Sequence, residues 1–334
     1  MLTGMSRTTP AGDLRPLGRT NIQVSTVSLG CWPIAGVTSL DVNDVDSIAT
    51  VRASLAAGVN FIDTAYCYGP NGESENLIRR ALEGQSRDDV VIATKGGIHY
   101  EPNGKQADDG RPETLARECD ESLRRLGVDR VELYYLHTPD PNIPIAESAG
   151  AIQRLIDAGK TLTAGASNCT LEQLKEFHAV CPLSAVQLPY NMLQRDIEKV
   201  TIPWCLQEGI SVTAYWPLMK GLLAGKIGDE TKLADDDKRK NYPMYQGEEF
   251  ERNQAFVARL REIAVGAGRS VAQLVINWTI HQPGITSALC GAKRAWQIEE
   301  TAAAMGWRLT ADELAAVNAA IETRGPAAAK RLFQ

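Results

Sequence analysis

With 334 residues, 44% of them hydrophobic and 23% charged, the chain is long enough to bury a large core, and its composition fits neither a disordered nor a fibrous class. The net charge of −6 comes from 35 basic and 41 acidic residues interspersed rather than gathered into a stripe, which argues against a nucleic-acid partner. The seven cysteines form no CxxC pair and are odd in number, so no zinc motif is present and a reducing, cytoplasmic setting is expected.

Residues 1–14 are expected to be a flexible amino-terminal extension with no signal-peptide core, residues 15–322 a single domain, and residues 323–334 a tail. No run of about 18 apolar residues occurs, so no membrane association is expected. From there short apolar or β-branched runs alternate with helical stretches. The runs are Val24–Cys31, Phe61–Thr64, Val90–Thr94, Val131–Leu136, Leu162–Ala166, Ala185–Pro189, Ile210–Tyr215 and Ile285–Leu289. The helical stretches between them are Val45–Ala57, Glu75–Leu82, Pro112–Leu126, Ile145–Ala158, Leu171–Val180 and Ile202–Gln207. Glycine closes several helices just before the next strand, as in "LAAGVNF", "ALEGQ", "RLGVDRV", "IDAGK" and "LQEGISV", while Thr170 with Gln173 and Thr310 with Glu313 fit capping boxes.

Strict strand–helix alternation implies a parallel sheet with helices outside, and a count of eight strands favours closure into a (β/α)8 TIM barrel. An open doubly wound sheet is the rival, but the first strand runs into "LGCWPIAG", which lacks the GxGxxG turn, and there is no Walker loop.

Barrel enzymes carry their chemistry at the carboxyl ends of the strands. That rule selects Asp63 at the end of the second run, Tyr68 in the loop after it, Lys95 closing the third in "VVIATKGG" and His137 closing the fourth in "VELYYLHTPD". Singly, Asp63 reads as well as a turn cap, Tyr68 as a packing lid and His137 as a bonded core residue. Lys95 is harder to explain that way, because a lysine ending an apolar strand at a crowded mouth needs a partner. Together the four suit polarising and protonating a carbonyl, with Lys95 expected to lower the Tyr68 pKa. No side chain donates a hydride, so a nicotinamide cofactor is implied.

The ordered motifs "FIDTAYCYGPNGESE", "ATKGG", "YYLHTPD", "GASN", "VQLPYN", "AYWPLMKGLLAGK" and "GAKRAWQIEE" resemble the aldo-keto reductases, from residue 16 to about residue 322. The resemblance implies Tyr68 as general acid/base with Asp63, Lys95 and His137 as its partners. It implies nicotinamide contacts from Ser167, Asn168 and Gln187, stacking on Tyr215, a pyrophosphate loop over Pro217, Leu218, Gly221 and Lys226, and an adenosine site at Gly291, Lys293, Gln297 and Glu300. Trp216 replaces a residue that is commonly serine in the family, and Thr301 stands where asparagine is common. Trp32 and Trp216 are the aromatic candidates for the substrate wall. The adjacent cations Lys293 and Arg294 favour NADP (NADPH), with NAD also possible; Lys293 is expected at the 2′-phosphate and Arg294 in solvent.

The expected substrate is a small carbonyl compound, alcohol or sugar, selected by the loops at 97–111, 138–143 and 229–249. The alternative is a regulatory binding protein, since potassium-channel β subunits resemble the same family. The sequence carries no sign of oligomeric state.

Overall fold

The computed structural model describes residues 9–10, 12–227, 233 and 237–327. The chain opens with an antiparallel hairpin of β1 (Leu14–Pro16) and β2 (Gln23–Ser25). It continues through β3 (Val27–Gly30), α1 (Asp44–Ala56), β4 (Phe61–Asp63), α2 (Glu73–Leu82) and β5 (Val91–Gly96) to a second small hairpin, β6 (Ile98–Tyr100) with β7 (Gln106–Asp108). Next come α3 (Pro112–Leu126), β8 (Val131–Leu136), α4 (Ile145–Asp157), β9 (Thr161–Ser167), α5 (Leu171–Val180), β10 (Leu183–Pro189), α6 (Thr201–Glu208) and β11 (Ser211–Tyr215). The last part holds α7 (Gly247–Gly266), α8 (Val271–Ile280), β12 (Ile285–Gly291), α9 (Ala295–Ala302) and α10 (Ala311–Arg324).

Strands β3, β4, β5, β8, β9, β10, β11 and β12 form a closed parallel barrel in that order, with β12 hydrogen-bonded back to β3. The TIM-barrel expectation therefore holds. The five glycines expected to end helices, Gly58, Gly84, Gly127, Gly159 and Gly209, all have positive φ, and both expected capping boxes form.

Two layers of core follow from the period of two along each strand. Phe61, Val91, Ala93, Leu133, Tyr135 and Ala185 fill the barrel interior, and Leu17 and Val24 from the first hairpin pack with them. The alternate residues Ile62, Ile92, Tyr134, Leu136, Val186 and Leu188 face outward into the larger cluster beneath the helices. Continuing the inward set by two residues along β4, β5, β8 and β10 reaches Asp63, Lys95, His137 and Gln187. The same alternation that builds the core thus aims four polar side chains at one end.

Four points differ from these expectations. Val24–Cys31 is two strands rather than one, because Thr26 turns a corner there: its N–H donates to the Asp13 carbonyl and its hydroxyl to Asp13 Oδ1, each at 2.9 Å. Asp13 Oδ2 also accepts from the Gly306 amide at 2.7 Å, so the described end of the 1–14 stretch is tied to the barrel, while residues 1–8 and 11 lie outside the described residues. The expected tail starts inside α10, whose Arg324 is buried against Glu249 and Asn253; residues 328–334 lie outside the described residues. Finally, the sequence alternation assigns no helix between Tyr215 and Ile285, where α7 and α8 stand.

Candidate active site

Strand ends β4 and β5 are neighbours, with Asp63 in register with Ala93, so Asp63 and Lys95 meet directly. Both are buried, and Lys95 Nζ donates to Asp63 Oδ1 at 2.6 Å, to the Thr64 carbonyl at 2.7 Å and to Tyr68 Oη at 3.4 Å. Three partners use the three donors of an ammonium, so the tyrosine oxygen accepts and its own O–H is left to aim elsewhere. Gln187 Nε2 donates to the second carboxylate oxygen, Asp63 Oδ2, at 2.8 Å. Burying this ion pair is tolerable because each group is also satisfied by further hydrogen bonds.

Burial raises the Asp63 pKa, and Lys95 and Gln187 oppose that rise. Tyr68 differs from the expectation of a lowered pKa: burial first, then the Asp63 charge, push it well above 10. Lys95 does not reverse this, because its shortest bonds go to Asp63 and Thr64 rather than to the phenol. Tyr68 is therefore a neutral phenol, a donor rather than a phenolate. His137 lies edge-on to it with ring centroids 5.8 Å apart, and burial, followed by the Lys95 charge, holds its pKa well below 6.5, so the imidazole is neutral. Trp32 also packs edge-on against Tyr68, with ring centroids 5.0 Å apart, and donates from Nε1 to Thr38 Oγ1. The structure brings all four expected catalytic residues together.

The neighbouring strand ends carry the expected nicotinamide contacts. Ser167 ends β9 in register with Gln187 on β10, and Asn168, in the left-handed region at φ 60, follows it. Asn168 Nδ2 donates to the His137 carbonyl at 2.9 Å and to Ser167 Oγ at 3.2 Å, and Asn168 Oδ1 accepts from the Tyr215 hydroxyl at 2.9 Å. Asn168 thus braces His137 and Tyr215 to one another. The set fits a nicotinamide: Tyr215 offers a flat ring, while the Ser167 hydroxyl and the Gln187 amide oxygen can meet a carboxamide.

After β11 the backbone is strained. Trp216, Met219 and Lys220 have φ of 56, 46 and 56, and Gly221 follows at 94. Three non-glycine residues in the left-handed region within five positions mark a segment held in place by its surroundings. The Tyr245 hydroxyl donates to the Lys220 carbonyl at 3.0 Å, and Lys220 Nζ lies over the rings of Trp216 and Tyr242 at 4.0 and 4.3 Å. The indole of Trp216 is edge-on to Tyr215, so the residue that replaces the usual serine packs beside the aromatic platform. Pro217, Leu218 and Gly221 lie in the same segment. Lys226 pairs with Glu300 and lies over the Trp296 ring at 4.0 Å, which links that segment to α9.

At the outer edge, Lys293 Nζ donates to the Leu40 carbonyl at 2.5 Å. Arg294, expected in solvent, is half-buried: it donates to the Asp41 carbonyl at 2.6 Å and pairs with Asp46 at 3.5 Å. Gln297 Oε1 accepts from the amides of Lys293 and Arg294, capping α9, and Gly291 ends β12 in register with Gly30. The Thr301 hydroxyl turns back to the Gln297 and Ile298 carbonyls of its own helix. The selectivity loop expected at 229–249 lies partly outside the described residues. Sequence reasoning missed Cys67, Tyr135, Lys220 and Tyr242. The inward period along β8 could have found Tyr135; the others carry no local signal.

A parallel barrel whose carboxyl-end mouth gathers a buried acid–lysine pair, a phenol, a neutral imidazole and an aromatic platform defines a class, the barrel oxidoreductases. The chain belongs to the aldo/keto reductase family, whose model matches residues 26–322. It is 36% identical over 307 residues to the aldo-keto reductase YhdN of Bacillus subtilis, covering 91% of this chain and 92% of that protein. Among solved structures, the glycerol dehydrogenase AKR11B4 of Gluconobacter oxydans superposes with a TM-score of 0.87 at 34% identity, covering 97% of this chain and 99% of that one. The holo form of aldo-keto reductase AKR11C1 from Bacillus halodurans, at 24% identity, TM-score 0.77 and coverage of 96% and 99%, shares the fold. The family resemblance read from the motifs is thereby confirmed, and the chain is an oxidoreductase of a family that uses nicotinamide cofactors.

Proposed function

We propose that this chain is an NADPH-preferring reductase of small aldehydes and ketones, or the reverse dehydrogenase of the matching alcohols and sugars, in which Tyr68 is the general acid and base. The observation that carries the reading is Tyr68 itself: a neutral phenol at the mouth whose oxygen already accepts from Lys95, leaving its proton free for a substrate oxygen. The bound dinucleotide would supply the hydride. Ser167, Asn168, Gln187 and Tyr215 would hold its nicotinamide, the segment from Pro217 through Leu218 and Gly221 to Lys226 its pyrophosphate, and Gly291, Lys293, Gln297 and Glu300 its adenosine end.

In reduction, Tyr68 gives its proton to the developing alkoxide while His137 donates a hydrogen bond to the same oxygen, which concentrates stabilisation where charge appears. Lys95 steadies the phenolate left behind, Asp63 holds Lys95 in place, and Gln187 holds Asp63. Trp32 beside Tyr68, together with Trp216, supplies apolar walls for a small substrate. The named glycerol dehydrogenase among the relatives supports a polyol or its carbonyl counterpart as the first substrates to try. The seven cysteines, all free and buried, support a reducing cytoplasmic setting. Among the described residues no helix is long and apolar enough to cross a membrane.

The test is Tyr68→Phe assayed against a panel of aldehydes, ketones, polyols and sugars with both cofactors. Loss of the hydroxyl should lower kcat by about two to four orders of magnitude and leave cofactor binding nearly intact. Near-parental turnover in that variant would remove Tyr68 from the chemistry.

A further inference from the structure

Cys67 precedes the proton donor in sequence and is enclosed, and its Sγ lies 3.5 Å from His137 Nδ1. The ring of His137 is neutral, so it carries one N–H, and which nitrogen holds it decides what the other can offer. The Cys67 thiol is also neutral, since burial pushes its pKa up to about 12. A thiol that keeps its hydrogen beside a ring nitrogen can donate to it. The His137 main chain is fixed independently by the bond from Asn168 Nδ2, so the ring plane and the thiol face each other from two separately anchored loops.

We propose that Cys67 is a positioning residue for His137: its S–H donates to Nδ1, and the single ring proton is thereby kept on Nε2, the nitrogen on the opposite side of the ring. The opposite arrangement, with Nδ1–H donating to sulfur, would leave a bare lone pair on Nε2, which repels a substrate oxygen instead of binding it. The proposal rests on the reading of His137 as the group that meets that oxygen. A thiol is a weak donor, so the bias it imposes is modest, about three- to tenfold between the two tautomers. That is enough to raise the fraction of molecules competent to orient a carbonyl.

The experiment is nitrogen NMR on the full chain labelled at histidine, with the His137 signals among the four histidines assigned by their loss in His137→Gln. The parent should show His137 protonated at Nε2. Cys67→Ala should move it toward the Nδ1-protonated form and lower kcat for carbonyl reduction about three- to tenfold, with little change in cofactor affinity. Cys67→Ser, which restores a donor, should recover both. If Cys67→Ala fails to fold, Cys67→Val removes the donor at nearly full volume. A parent protonated at Nδ1, or a Cys67→Ala or Cys67→Val protein that keeps the parental tautomer ratio, would overturn the proposal. A tautomer that shifts with no change in rate would uphold the role of Cys67 and remove His137 from carbonyl binding.

Discussion

Glu118 is buried on α3, with Oε2 accepting from the Gly97 amide at 2.7 Å and Oε1 lying 3.3 Å from His99 Nδ1. Desolvation raises its pKa from an ordinary 4.5 to about 8; the Gly97 amide and Arg117 oppose the rise, and Asp109 and Glu121 add to it. The folded state therefore holds a proton that the unfolded chain releases between those two values. The resulting stability is complete below the lower value and is lost as pH rises toward the upper one. Glu118→Gln keeps an oxygen for Gly97 and should flatten that decline. Denaturant midpoints compared near pH 5 and pH 8 should show the parent losing about 1–3 kcal/mol more than the variant. At this scale the sequence told much about place and little about environment. Asp63, Lys95 and His137 were legible because they end strands, and Tyr68 because it follows one. The Tyr68 pKa was misjudged because its sign depends on burial and on which bonds Lys95 prefers, and neither is written in the local sequence.

Among the elements, β8 and β9 show how closely the strands are fitted. Tyr135 points into the barrel from β8 and shares a hydrogen bond with Thr213 on β11 at 3.0 Å, lying across β9 where Gly165 has no side chain. A Cβ on Gly165 would stand 2.3 Å from the Tyr135 ring. Gly165→Ala should therefore destabilise the fold by about 1–3 kcal/mol through overpacking, read as a lowered denaturant midpoint. Tyr135→Phe should leave the clash in place, whereas Tyr135→Leu in the same background should relieve part of it. Alternation and glycine caps made most barrel strands and the first six helices legible. Three-residue strands such as β6 and β7 are too short to show a period, and Thr26 splits an apolar run that reads as continuous because its corner depends on Asp13. The stretch holding α7 and α8 breaks the strand–helix rhythm with two helices in succession, so the rule that found the others passes over it.

Across the whole molecule, the proposed dinucleotide site runs from Tyr215 at the mouth to α9 at its rim, and on that reading the choice of cofactor falls to the far end. Lys293 already spends a bond on the Leu40 carbonyl, so binding a 2′-phosphate exchanges that neutral acceptor for an anion. Such charge-assisted contacts are worth roughly 1.5–3 kcal/mol. The parent should bind NADPH about tenfold or more tightly than NADH, and Lys293→Met should erode that ratio mainly by weakening NADPH; equal loss of both would place phosphate reading elsewhere. The closed sheet that carries this site has a seam, where β12 pairs with β3 and Ala288 lies opposite Val27. Those partners are separated by nearly the full length of the described chain. At synthesis rates of about 5–20 residues per second, β3 leaves the ribosome on the order of tens of seconds before the strand that completes it. Throughout that interval the growing polypeptide carries an open sheet edge with unpaired N–H and C=O groups, the surface on which stray chains pair. Ring closure thus waits on the last barrel strand, and the nascent chain keeps that edge open until β12 arrives.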